Sequence, residues 1–157
     1  MIKKVALITA ASQGMGLACA REINSQGYEL ALMSRSSKIL AVAQELEAVA
    51  IEGSVTNQED ISKLVNTAIK EYGRIDSVIN NTGHPAKGPL LQLTKEDWHQ
   101  GLDLIITSVA EMLKLVIPIM QKQGGGSIVN ISTFAAFEPN KNFPISSALR
   151  AALGSYI

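Results

Sequence analysis

The chain alternates between short apolar runs and longer stretches whose apolar positions recur every three to four residues. That pattern predicts strands and helices laid down in turn. Val5, Ala6, Leu7 and Ile8 form the first run, so a strand is expected over residues 4–8. A helix is expected over 14–25, with Gly27 just past its end in the left-handed conformation that terminates helices. A second strand follows over 28–33. Ile39, Leu40, Ala43 and Leu46 share one face of a helix expected over 36–47, and a short third strand covers 48–52. Thr56-Asn57-Gln58-Glu59 has the form of a capping box. The helix it opens carries Ile61, Leu64, Val65, Ala68, Ile69 and Tyr72 on one face. The fourth strand is expected over 75–80.

Thr94 is expected to cap a long helix reaching about residue 123. Its main stripe is Leu102, Ile105, Ile106, Val109, Met112, Leu113, Val116 and Ile117, with Leu104 and Leu115 off it. A helix apolar on more than one side is either deeply buried or part of a subunit interface. Pro118 is expected to bend or loosen its last turns. Residues 124–126 form a turn, 127–132 a fifth strand, and a further helix begins near Ser146. Strands alternating with helices predict a parallel α/β sheet. No sixth strand follows, so the fifth is expected to be an exposed edge. Residues 1–157 therefore read as one domain that lacks its C-terminal strands. A truncation, an ordered fragment or a partner covering the edge would each explain that.

Composition narrows the class. With 157 residues, 46% apolar and 18% charged, the chain suits one soluble domain with a real core. A net charge of zero gives no basic excess for nucleic acid or an anionic membrane. Cys19 is the only cysteine, so no internal disulfide can form, and inside the first helix it reads as a small core residue. No signal peptide or membrane span is expected, and the location expected is cytoplasmic.

Candidate chemistry begins where the first strand ends. From Val5 to Gly16 an apolar run breaks into small residues and two glycines, and a helical pattern follows. Gly14 and Gly16 would let backbone approach a pyrophosphate, and the amides opening the helix would attract it. A tight turn with no ligand is the competing reading. Four segments in order then resemble the short-chain dehydrogenase/reductase family. Thr9-Ala10-Ala11-Ser12-Gln13-Gly14-Met15-Gly16 is similar to its glycine-rich turn, with Ala10 in place of the first glycine. Asn80-Asn81-Thr82-Gly83 resembles its N-N-A-G segment, Trp98 an aromatic that opens its long helix, and Gly126-Ser127-Ile128-Val129-Asn130-Ile131-Ser132 its G-x-I-V-N-I-S strand.

The resemblance implies a Rossmann-like, doubly wound parallel sheet of order 3-2-1-4-5 that binds a nicotinamide dinucleotide. The implied cofactor-binding residues are Thr9, Ala11, Ser12, Gln13, Gly14, Met15, Gly16, Ser34, Arg35, Ser36, Ser54, Val55, Asn80, Asn81, Thr82, Gly83 and Ile131. Ser34 stands where a carboxylate would favour NAD, and Arg35 follows it, so NADP(H) is preferred. Arg35 also reads as a solvated loop residue. Ser54 stands where the family commonly has an aspartate near the adenine.

The family's Y-x-x-x-K pair is missing from the whole chain. By register, Thr133 matches the family's serine, Ser146 its tyrosine, Arg150 its lysine and Ile105 its relay asparagine. Ser146 is shorter and far less acidic than a phenol, and Arg150 keeps the charge without shuttling a proton. His84 at the cofactor edge is a possible substitute proton donor, set against a plain loop histidine in water. His99 and Lys87 read as solvated, and neither histidine has metal-ligand company.

Three readings result. One is an NADP(H)-dependent oxidoreductase acting on a small carbonyl or alcohol with an altered catalytic site. A second is a weakly active or inactive NADP(H)-binding protein serving as sensor or oligomer subunit, and a third is a fragment that binds nothing stably. By resemblance the long helix and the next one pack against partner subunits, giving a homodimer or homotetramer.

Overall fold

A computed structural model of the chain describes residues 3–156; Met1, Ile2 and Ile157 lie outside the described residues. Five strands form one sheet: β1 (Val5–Thr9), β2 (Glu29–Ser34), β3 (Val49–Glu52), β4 (Ser77–Asn80) and β5 (Ser127–Asn130). They lie in the order β3-β2-β1-β4-β5 and every pairing is parallel. The helices are α1 (Gly14–Ser25), α2 (Lys38–Glu45), α3 (Gln58–Tyr72), α4 (Lys95–Leu102), α5 (Ser108–Lys122) and α6 (Pro144–Tyr156). This is the parallel α/β sheet expected from the alternating pattern, in the doubly wound order that the family resemblance implies.

Why β1 reads as a continuous apolar run is plain from its packing, since side chains alternate across a strand. Val5 and Leu7 join a core with Met33, Leu64, Met112 and Val116, which brings in α3 and α5. Ala6 and Ile8 join the opposite core with Ala20, Leu30, Leu32 and Ile39, which brings in α1 and α2. Both faces of the strand are covered, so no polar position can interrupt it. Cys19 is half-buried against the second core.

Element ends show where the local pattern misleads. Asn57, not Thr56, caps α3: its side-chain oxygen accepts from the Glu59 N–H at 2.8 Å and the Asp60 N–H at 3.4 Å. The Thr56 hydroxyl bonds Ser54 Oγ at 2.8 Å instead, so it has no part in the cap. Thr94 does cap α4, in a reciprocal box with Asp97. The long helix is interrupted by a π-helical turn at Asp103–Thr107. Ser108 Oγ donates to the Leu104 carbonyl at 2.7 Å within it.

One extra residue in that turn rotates the apolar stripe. The buried face becomes Ile105, Val109, Met112, Val116 and Met120, while Leu102 and Ile117, expected on the stripe, are exposed. Backbone helix continues through the exposed Pro118 to Lys122. Gly101 is buried because a β-carbon there would overlap Ile145, so α4 passes close to α6. Among the described residues β5 has a single neighbour, β4, and Val129 on it is exposed. No helix among them is long and apolar enough to cross a membrane.

Candidate functional site

The chain leaves β3 and returns across the sheet to β4, so a crevice opens at the carboxyl ends of β1 and β4. In open α/β sheets this reversal point is where ligands sit. Thr9 ties the two strand ends together: its Oγ1 donates to the Asn81 carbonyl at 2.6 Å and accepts the Asn81 N–H at 2.9 Å. The Asn81 amide donates to the Ala10 carbonyl at 3.3 Å. Ala10 itself is left-handed, with φ +48°, an uncommon conformation for a residue with a β-carbon.

The two glycines of the turn do different things. Gly14 has φ +56° and faces open space, so it serves the turn and leaves the cleft clear. A β-carbon on Gly16 would overlap the Ala10 carbonyl and the Asn81 amide. Gly16 thus clears the way for α1 to pack on the turn and on β4.

Most of the sequence-derived cofactor residues line one cleft of about 500 Å³. Ser12, Gln13, Gly14 and Met15 come from the β1–α1 turn, and Ser34, Arg35 and Ser36 from the end of β2. Ser54 and Val55 follow β3, and Asn81, Thr82 and Gly83 follow β4. Thr9, Ala11, Gly16, Asn80 and Ile131 lie behind this wall. The Ala11 N–H donates to the Met33 carbonyl at 3.1 Å, Asn80 Nδ2 donates to Asn130 Oδ1 at 2.9 Å, and the Ile131 N–H donates to the Asn80 carbonyl at 2.9 Å. These residues shape the wall and do not face the opening.

The cleft suits a polyanion. No Asp or Glu among the described residues lines it. Gln13 provides no side-chain cap to α1, which leaves first-turn amides of that helix open to a ligand. Thr82 Oγ1 is buried without a hydrogen-bond partner, a state that costs about 1–3 kcal/mol unless something supplies one. Ser34 Oγ is held by Ser12 Oγ at 2.8 Å and accepts the Ser36 N–H at 3.3 Å. Beside it, exposed Arg35 reaches over the opening, with Nη2 3.9 Å from where a Gly83 β-carbon would sit. Behind the β3 end, the Ser54 N–H donates to Asp60 Oδ2 at 2.8 Å.

The three residues matched to catalytic positions separate into two places. Thr133 and Ser146 line a recess of about 120 Å³ together with His84, Lys87 and the rings of Phe134 and Phe143. Arg150, one turn further along α6, is buried and donates to the Ile131 carbonyl. It lines an internal cavity with Asn80, Thr82 and Ile105. Burial lowers its pKa from the ordinary guanidinium value. Ile105 sits in the π-helical turn, so nothing polar stands at that position.

Phe134 and Phe143 escape a reading of the sequence because they lie in segments with no periodicity. Lys87 is exposed, as expected, and its Nζ stands 5.5 Å from the centre of the Phe143 ring. His84 and His99 are exposed. No cluster of three His, Cys, Asp or Glu able to hold a metal exists among the described residues.

Comparison with known proteins matches this geometry. The family model described as short chain dehydrogenase matches residues 4–157. The chain is 37% identical over 162 residues to human dehydrogenase/reductase SDR family member 4, covering 98% of this chain and 58% of the relative. It is 30% identical over 154 residues to an uncharacterized oxidoreductase of Staphylococcus epidermidis, covering 96% of this chain and 67% of that protein. The chain spans somewhat more than half the length of the human relative. A short-chain dehydrogenase from Streptomyces avermitilis superposes with a TM-score of 0.91 at 29% identity, over 98% of this chain and 57% of that one. L-sorbose reductase from Gluconobacter frateurii, complexed with NADPH and L-sorbose, superposes at 0.93 with 25% identity, over 98% of this chain and 61% of that one. With a sheet of matching order, a glycine turn at its reversal point and a family match along nearly its whole length, the chain belongs to the short-chain dehydrogenase family.

Proposed function

We propose that this chain is the cofactor-binding portion of an NADP(H)-dependent oxidoreductase acting on a small carbonyl or alcohol, with an altered proton-transfer set. Bound in the cleft, the dinucleotide supplies or takes up hydride at the substrate carbon. The residues then divide the work. First-turn amides of α1 face the diphosphate, and the Thr82 hydroxyl gains the partner it lacks. Thr133 and Ser146 offer hydroxyls to the substrate oxygen from the recess. Arg150 acts from behind the wall, fixing Ile131 and setting a positive charge near the site where an alkoxide develops.

The observation that carries the preference for the phosphorylated cofactor is Arg35. It stands at the end of β2 beside a serine, on a cleft without carboxylates, so a 2′-phosphate meets a guanidinium and no repulsion. A titration followed by nicotinamide fluorescence tests this. Arg35→Ala should weaken NADPH binding roughly tenfold or more, the loss of a charge-assisted hydrogen bond, and leave NADH binding unchanged. Equal weakening of both would contradict the assignment.

Binding without turnover is the second reading. It is favoured by Ile105 and Ser146, which leave no asparagine or phenol at the matched positions. Assembly as a homodimer or homotetramer through α5 and α6 completes the proposal. A reducing, cytoplasmic setting suits the single cysteine.

A further inference from the structure

We infer that His84 takes the proton-exchanging role at the substrate oxygen. The inference rests on the cofactor reading above and adds a catalytic residue to it. Two cavities matter here: the cleft along the ends of β1, β2 and β4, and the recess holding Thr133 and Ser146. Among the described residues, His84 is the only one that lines both. A group at that junction faces the place where substrate and the nicotinamide end of a dinucleotide must meet. No other residue there carries a side chain that both gives and takes a proton near neutral pH.

The surroundings leave the imidazole available. It makes no hydrogen bond among the described residues, and its loop is anchored just after it. Pro85 is buried next to it, and the Gly88 N–H donates to the Asn142 carbonyl at 3.0 Å, joining this loop to the one before α6. The charged groups that line a cavity with His84 are Arg35, from the end of β2, and Lys87, on its own loop. From the segment after β5 and from α6 the polar side chains that line the recess with it are Thr133 and Ser146, and among the described residues no carboxylate lines either cavity. Charge around the site is therefore positive, which favours an oxygen becoming an alkoxide.

The step balances as follows in the reducing direction. The carbonyl carbon accepts a hydride, with its electron pair, from the reduced nicotinamide, which is thereby oxidised. A C–H bond forms, the carbon–oxygen π pair moves to oxygen, and that oxygen takes the imidazolium proton. Neutral imidazole regains its proton from water. Thr133 and Ser146 hold the oxygen by hydrogen bonds and need not ionise.

Two measurements test the assignment. In the first, isotope-labelled protein is titrated with NADPH and followed by NMR. The Gly14 and Gly16 amides and the His84 imidazole should all shift. Adenosine 2′,5′-bisphosphate, which lacks nicotinamide, should leave the His84 signal in place. Glycine amides that move while His84 does not would overturn the inference and leave the cofactor reading standing. If neither moves, the cofactor reading itself fails.

In the second, oxidation of NADPH by 2,3-butanedione is followed at its absorbance band. His84→Gln should be slower than wild type by roughly 10²-fold or more when both are saturated with NADPH. A variant as fast as wild type, or wild type that binds NADPH yet never oxidises it, would overturn the inference.

Discussion

Ala10 shows what a single position can cost. A residue with a β-carbon at φ +48° gives up roughly 1–2 kcal/mol, and glycine would remove that strain while adding freedom to the unfolded chain. Ala10→Gly should therefore raise stability by about 0.5 kcal/mol in chemical denaturation. A loss would mean that the methyl group has a packing role. Asp76 is a second case. Its carboxylate accepts the Arg74 guanidinium and the Val5 N–H at 2.9 Å, tying the starts of β4 and β1. The Arg74 hydrogen bond, assisted by that amide, holds its pKa below the ordinary carboxylate value despite partial burial. A depressed folded value stabilises above the unfolded pKa and is lost as pH falls through the folded one. Asp76→Asn should cost about 1–2 kcal/mol at pH 7 and flatten the acid limb of a stability profile below about pH 4. An unchanged acid limb would contradict this account. At this scale the sequence is informative about chemistry and poor on geometry. It marks Gly14 and Gly16 alike, yet only packing reveals that Gly16 faces Ala10 and Asn81.

Elements were legible in kind, less so at their ends. Apolar periodicity places every strand and helix because burial of one or both faces forces it, as in β1 and α3. The α3 cap was misassigned because Thr56 and Asn57 are both good capping residues and only the turn after β3 decides between them. Asn57→Ala should cost about 1 kcal/mol, and Thr56→Ala measurably less, by thermal or denaturant unfolding. Equal losses would return the cap to a shared role. The π-helical turn at Asp103–Thr107 leaves no trace in the pattern, since one added residue disturbs the stripe only slightly. It puts Ile105 beside the cavity that Arg150 also lines.

For the whole molecule, the order β3-β2-β1-β4-β5 fixes where the chain reverses and hence where the cleft opens. The alternation of strands and helices implies a parallel sheet, and the family resemblance implies that order. The recess gathers Thr133, Ser146 and His84, each a candidate in the sequence, but the Phe134 and Phe143 rings that also line it lie in segments whose spacing follows no period. The recess presents the Thr133 and Ser146 hydroxyls. The central claim is that the carboxylate-free cleft after β1 holds a phosphorylated nicotinamide dinucleotide. Isothermal titration of folded protein tests it most directly. The account predicts saturable heat with NADPH and affinity for NADH at least about tenfold weaker, the size expected for a lost phosphate–guanidinium contact. Heat from neither cofactor, or tighter binding of NADH, would contradict it.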